Sequence, residues 1–193
     1  MNSNNYTKEI ILASNSSRRK DYLKILGFPF MIKTLKINEN YPKHLKGKSI
    51  PNFLAKLKAE PFKKHIKNNQ IVITADTIVW SKGICYGKPK SFEEARDMLK
   101  NLSGNIHQVI TSVGFLTSSG YSSITSITEV TFRKIHEELI DHYIKHEKPF
   151  DKAGGYGIQD SIGVIAVSEI KGSYTNVVGL PVSEVYAELK RLE

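Results

Sequence analysis

Several stretches of this chain combine residue types that could act on a charged substrate. The first is Leu12-Ala13-Ser14-Asn15-Ser16-Ser17-Arg18-Arg19, an apolar run that passes through small hydroxylated residues into two arginines. If the run is a buried strand and the hydroxyls open a helix, the free N–H groups of the helix start and the two guanidinium groups make an anion cradle. A capped helix with a solvated basic first turn leaves the same pattern. Arginines at a helix N-terminus oppose the macrodipole, however, and an anion would compensate them. That consideration favours a phosphate cradle, in which Ser14, Arg18 and Arg19 would be contacts, without removing the capped-helix alternative.

The second stretch is Thr74-Ala75-Asp76-Thr77, at the end of the apolar run Ile71-Val72-Ile73. An aspartate at the carboxyl end of such a strand sits where open α/β sheets bind ligands, and it could hold Mg²⁺ or act as a base. An aspartate that satisfies a backbone amide at a strand end is an equal alternative. Thr77 could donate to a substrate or simply favour the strand. Lys58 and Lys88, the latter in the turn Gly87-Lys88-Pro89, are cations that each read as solvated when taken singly. His107, after Leu102-Ser103-Gly104, reads as a structural hydrogen-bonder rather than a base. In Asp151-Lys152-Ala153-Gly154-Gly155-Tyr156-Gly157-Ile158-Gln159 the glycines allow close backbone approach to a ligand, and Gln159 offers a donor and an acceptor to a base edge. A mobile surface loop is the plainer alternative. The stretch from Gly172 to Pro181 reads as packing.

These residues need elements to position them. Ile10–Ala13 predicts a strand buried on both faces, followed by a helix capped by Ser16 and stopped at Gly27. Phe30–Ile32 predicts a strand and residues 36–50 a polar loop with Glu39 in its middle. Ser49 is expected to cap a helix carrying Phe53, Leu54 and Leu57 inward, with Pro61 ending it. Ile71–Trp80 predicts the clearest strand, Lys82-Gly83 a turn and Ile84–Tyr86 a short strand. Ser91 opens a helix through Leu102, and His107–Phe132 forms a long hairpin. A helix over 136–145, a glycine-rich loop, a strand over 161–170, a loop over 172–180 and a final helix from Pro181 complete the chain. Alternating strands and helices interrupted by one hairpin predict an α/β class with a mixed sheet.

Composition narrows the function. A chain of 193 residues with 40% apolar and 24% charged residues fits one domain, 1–193, or two lobes sharing a core, and excludes global disorder. Twenty-eight basic against 19 acidic residues give a net charge of +9, which attracts anions without naming them. The single Cys85 cannot form an internal disulfide, and no Cys/His cluster has zinc spacing. With no long apolar span or signal-type start, the expected location is the cytoplasm, and no membrane partner is expected.

Together these segments resemble one family. Leu12-Ala13-Ser14-x-Ser16-x-Arg18-Arg19, Ala75-Asp76-Thr77-Ile78-Val79, Gly87-Lys88-Pro89, Leu102-Ser103-Gly104-x-x-His107, Asp151-Lys152-Ala153-Gly154-x-Tyr156-Gly157-Ile158-Gln159 and Asn176-Val177-Val178-Gly179-Leu180-Pro181 stand in the order found in the Maf-like nucleoside triphosphate pyrophosphatases. The resemblance implies a mixed, twisted sheet flanked by helices in two lobes around a central cleft. It implies hydrolysis of a nucleoside triphosphate between the α and β phosphates, with a divalent cation, Mg²⁺ or Mn²⁺. Asp76 matches the family's proton acceptor, and Arg18, Thr77 and Gln159 match its specificity positions. The form of the glycine-rich loop is similar to the branch that takes dTTP and UTP. Ser17 stands where the family usually has proline, which implies a looser cradle. Ser14, Arg18, Arg19, Lys58 and Lys88 would clamp phosphate, and Asp76 with Glu39 would hold the metal. A homodimer is compatible with this reading.

Two other readings follow from the sequence. The +9 charge invites a nucleic-acid-binding or division-regulating protein, but the lysines are spread over several helices, with Lys43, Lys46 and Lys48 the densest group. No nucleic-acid partner is therefore expected. A pyrophosphatase acting on inosine or xanthosine triphosphates has a similar architecture.

Overall fold

In the computed structural model, which describes residues 6–193, the apolar run after Glu9 forms strand β1 (Glu9–Leu12). Helix α1 (Ser17–Ile25) follows, then β2 (Phe30–Ile32), the loop carrying Glu39, and α2 (Ser49–Ala59). Strand β3 (Gln70–Ser81) turns through Lys82-Gly83 into β4 (Ile84–Tyr86), and α3 (Phe92–Leu102) leads into the hairpin β5 (Ile106–Thr117) and β6 (Gly120–Phe132). Then come α4 (Glu137–Glu147), α5 (Ser161–Ala166), β7 (Val167–Lys171), α6 (Tyr174–Val178) and α7 (Val182–Arg191). Among the described residues seven strands form one mixed sheet in the order β2-β1-β3-β5-β6-β7, with β4 paired to β3. The expected α/β class is what the chain adopts.

The chain divides into two compact units. One holds the residues through Asp76 with Thr111–Ser126 and Gly179–Glu193, and the other holds Thr77–Ile110 with Ile127–Val178. In the first unit β1 lies parallel to both β2 and β3, with Ile11 opposite Met31 and Val72. Because side chains alternate along a strand, β1 and β3 bury two faces. Ile10, Leu12, Ile71 and Ile73 pack with Leu23 of α1 and Val185 and Leu189 of α7. Ile11 and Val72 pack on the other side with Ala59 and Phe62. Each such side chain contributes about 1.5–3 kcal/mol on leaving water, so the part of β3 that leads up to Asp76 is anchored from both sides.

In the second unit Ala95, Leu99 and Leu102 of α3 and Ile140, Tyr143 and Ile144 of α4 pack on Val79, Val109, Val130 and Phe132. β4 runs antiparallel to β3 and β7 antiparallel to β6. His107 is buried and hydrogen-bonded through Nε2 to Tyr156 Oη at 2.7 Å, with its ring edge-on to Phe132 and Tyr156. That is the structural role expected of it.

Four local expectations need correction. The strand expected over 161–170 begins as helix α5, and only Val167–Lys171 is extended. The β-branched run reads as strand, but Ile162, Gly163 and Ala166 are buried while Val164 and Ile165 are exposed, and Glu147 accepts hydrogen bonds from the Ser161 amide and hydroxyl. The loop expected over 172–180 contains α6, whose Asn176 amide donates to Ser173 Oγ at 3.2 Å. Ser49 is the first helical residue of α2, and its cap position falls on Lys48 without a side-chain hydrogen bond. Pro181 precedes α7 as its cap residue instead of entering its first turn. No helix among the described residues is long and apolar enough to cross a membrane.

Candidate active site

Asp76 stands midway along β3, not at its carboxyl end as expected, because the strand runs on, largely buried, to Ser81. Two residues earlier on the same face, Thr74 Oγ1 donates to the Ala55 carbonyl at 2.7 Å, which docks α2 on the strand. Lys58 stands one turn beyond Ala55 and so faces Asp76. Lys58 Nζ donates to Asp76 Oδ1 at 2.6 Å and to the Ala75 carbonyl at 3.4 Å. It also lies 3.1 Å from Glu39 Oε2, so one ammonium group bridges two carboxylates. The Lys58 and Asp76 side chains are 16% and 11% exposed, whereas Glu39 is 52% exposed. This is an ion pair largely out of water with a solvated third partner.

Burial pushes the Asp76 carboxyl up from its ordinary range. The Lys58 charge and hydrogen bond and the Arg19 charge oppose that rise, and Glu39 adds to it. The balance lies upward. An ionised carboxylate disfavoured by its surroundings and surrounded by cations is suited to accept a proton.

The helix start beside it is built as the sequence predicts. Ser16 Oγ accepts from the Arg19 amide at 3.4 Å, and Ser14 Oγ accepts from the Ser16 amide at 3.3 Å. The Arg19 guanidinium has a second task. Its Nε donates to the Gly179 carbonyl at 2.9 Å, and its Nη1 donates to the Ala75 carbonyl at 3.0 Å and to Ser14 Oγ at 3.3 Å. One side chain thus ties the strand-to-helix turn, the residue before Asp76 and the entry to α7. Burial weighs against the Arg19 charge and Arg18 opposes it, while Asp76 and Glu39 support it. Ser14, Arg19, Lys58, Asp76 and Glu39 are therefore brought together in the first unit, with Arg18 half-buried beside Arg19.

The remaining predicted residues belong to the second unit. Thr77 is half-buried in β3, Lys88 is exposed in the turn after β4, and Gln159 is exposed just before α5. The loop of Gln159 is held by Tyr143, which lies outside the motifs, and by Lys152, which lies within the glycine-rich motif but has no role of its own assigned there. Tyr143 Oη and Lys152 Nζ both reach the carboxylate of Asp160. The only sequence signal for Tyr143 is its place on the inward stripe of α4, four residues before Glu147.

The donor set fits a hard divalent cation. Two carboxylates meet at one ammonium, and Mg²⁺ is commonly held by one or two carboxylates with substrate phosphates completing its oxygen shell. Among the described residues no group of three or more His, Cys, Asp or Glu is placed to hold a metal ion.

Residues 9–192 match the family described as Maf-like protein. The chain belongs to the Maf-like family. Among relatives of this Maf-like protein, one from Phocaeicola vulgatus named dTTP/UTP pyrophosphatase is 50% identical over 185 residues, 95% of this chain and 96% of the other. One from Flavobacterium johnsoniae with the same name is 47% identical over 184 residues, 95% of both chains. Another of that name, from Flavobacterium psychrophilum, is 47% identical over 181 residues, 94% of this chain and 93% of the other. The solved structure of the Staphylococcus aureus Ham1 protein aligns with a TM-score of 0.47 at 17% identity, over 65% of this chain and 72% of the other. That likeness is too distant to add to the assignment.

Proposed function

We propose that this Maf-like protein hydrolyses dTTP and UTP between the α and β phosphates, releasing the nucleoside monophosphate and pyrophosphate. The observation that carries the reading is the buried Asp76 carboxylate joined to Glu39 through Lys58 Nζ. It stands in a chain 47–50% identical to proteins named for this activity.

In this reading Asp76 takes the proton of the attacking water. Burial raises its pKa, which makes its ionised form a better proton acceptor than an ordinary exposed aspartate. Lys58 keeps the carboxylate in place and lends positive charge to the phosphates. Ser14, Arg18 and Lys88 contact the phosphate chain, and Arg19 holds the Ser14 hydroxyl and the Ala75 backbone in register for it. Arg18, Thr77 and Gln159 select the pyrimidine. Asp76 and Glu39 would hold the divalent cation, Mg²⁺ or Mn²⁺, and when bound it neutralises charge on the phosphate oxygens as pyrophosphate leaves. Positioning and charge stabilisation then account for most of the catalysis. The lone Cys85 suits a reducing, cytoplasmic setting.

The test is pyrophosphate release from a panel of nucleoside triphosphates with Mg²⁺ or Mn²⁺. The expected result is turnover of dTTP and UTP ahead of the purine nucleotides. If dTTP and UTP stay intact while inosine or xanthosine triphosphate is cleaved, the substrate assignment is overturned. Steeply salt-dependent DNA binding with no turnover of any nucleotide would replace the enzyme reading altogether.

A further inference from the structure

We infer that Asp160, clamped by Tyr143 and Lys152, is a positioning residue that sets the selectivity of Gln159 for thymine and uracil over other bases. The inference rests on the proposed role of Gln159 in reading the base.

Gln159 is exposed, and nothing in its own sequence position fixes its backbone. Its neighbours do. On one side Ile158 is buried at 7% exposure. On the other, the Asp160 carboxylate accepts from Tyr143 Oη at 2.7 Å and lies 3.2 Å from Lys152 Nζ. The Asp160 amide donates to the Gly157 carbonyl at 3.1 Å, and the Gly157 amide donates to Tyr143 Oη at 3.2 Å. Tyr143 therefore accepts from the start of the loop and donates to its end. The three residues from Gly157 to Gln159 are spanned by one fully buried phenol.

The packing leaves this loop little alternative. A Cβ on Gly157 would stand 2.6 Å from Asp160 Oδ2, so the carboxylate lies against a position that only glycine leaves open. A Cβ on Gly163 would run into the Gly157 carbonyl and the Ile158 backbone, so α5 presses on the loop from the far side. Burial and the Asp160 charge push the Tyr143 phenol well above its usual pKa, which keeps it a donor to the carboxylate at every working pH.

The chemistry explains why such a clamp would matter. The glutamine amide is a donor and an acceptor side by side, and rotated by half a turn it presents the opposite pair. One orientation complements the N3–H and O4 edge of thymine or uracil, and the other complements the N3 and amino edge of cytosine. A fixed backbone at Gln159 limits where the amide can sit against the base and so which orientation finds both partners, whereas a mobile loop lets it follow either base. Loosening the clamp should therefore lower discrimination roughly tenfold, about 1.4 kcal/mol.

The experiment compares kcat/KM for dTTP and dCTP in the wild type, Gln159→Ala, Tyr143→Phe and Asp160→Asn, with thermal unfolding of each. The expected result is that all three substitutions lower the dTTP to dCTP ratio roughly tenfold, while kcat on dTTP falls much less than KM rises. If Gln159→Ala lowers the ratio and the folded clamp variants do not, the positioning role is overturned and the base-reading role stands. If Gln159→Ala leaves the ratio unchanged, the base-reading role falls and this inference with it. An equal loss of kcat on both nucleotides would make Asp160 merely structural. Asp160→Asn preserves size and decides the matter should Tyr143→Phe fail to fold.

Discussion

Replacing Lys58 by methionine removes the ammonium that joins Asp76 to Glu39 while keeping most of the length of the side chain. Removing one partner of a fully buried pair costs about 3–5 kcal/mol. The cost here should be smaller, because Lys58 and Asp76 retain 16% and 11% exposure and Asp76 can escape by taking a proton. A cost of about 2–3 kcal/mol at pH 8.5 follows, and the sign of its pH dependence can be worked out. Without Lys58 the folded-state pKa of Asp76 rises further, since that cation is the largest influence lowering it. A group whose folded pKa is raised contributes stability below its unfolded value and loses it as pH rises through the folded value. The variant should therefore fall further behind the wild type as pH increases. Urea unfolding at pH 5.5 and 8.5 reads this directly, and the gap in midpoint should be the wider at pH 8.5. Combining Lys58→Met with Asp76→Asn should cost less than the sum of the two by about 1–3 kcal/mol. Equal gaps at the two pH values, or strict additivity in the double variant, would refute the coupling.

Two other consequences are open to measurement. Burial lowers the His107 pKa to about 4 from 6.5, so its stabilising contribution is full above pH 6.5 and is lost as pH falls towards 4. That shift corresponds to about 3 kcal/mol, and acid unfolding of His107→Leu should lack this part of the pH dependence. Arg19→Lys keeps the charge but cannot reach the Gly179 and Ala75 carbonyls with one planar fork. Its kcat/KM should fall at least tenfold, read from steady-state pyrophosphate release, because the cradle and Asp76 lose their common brace.

What the sequence makes legible, and what it hides, follows from the range of the interactions. β1 and β3 announce themselves because both faces are buried along their apolar runs, and Asp76 is conspicuous as the charged residue in the middle of the better of them. The Ser16 and Ser91 caps are legible because a cap is satisfied within three residues. The run from Ser161 to Ala166 is not, because its β-branched residues favour a strand and only Glu147 and the close contact at Gly163 make it a helix. α6 is hidden for another reason, since five residues leave no helical period to detect. Within the site, the cations were recognisable as a group, but their division of labour was not. Lys58 bridges carboxylates 18 residues ahead and in a preceding loop, and Arg19 bonds a carbonyl 160 residues away. The Tyr143 clamp on Asp160 spans 17 residues between elements of different periodicity and leaves no motif.

The central claim is that the Asp76 carboxylate activates water for cleavage of a pyrimidine triphosphate. Asp76→Asn preserves the size of the side chain and an oxygen for Lys58, and removes the charge that accepts the proton. Turnover of dTTP by this variant, measured beside its affinity for the nucleotide, is the most direct test. The account predicts a loss of about 10²-fold or more in kcat with dTTP still bound. Wild-type kcat in Asp76→Asn would contradict it.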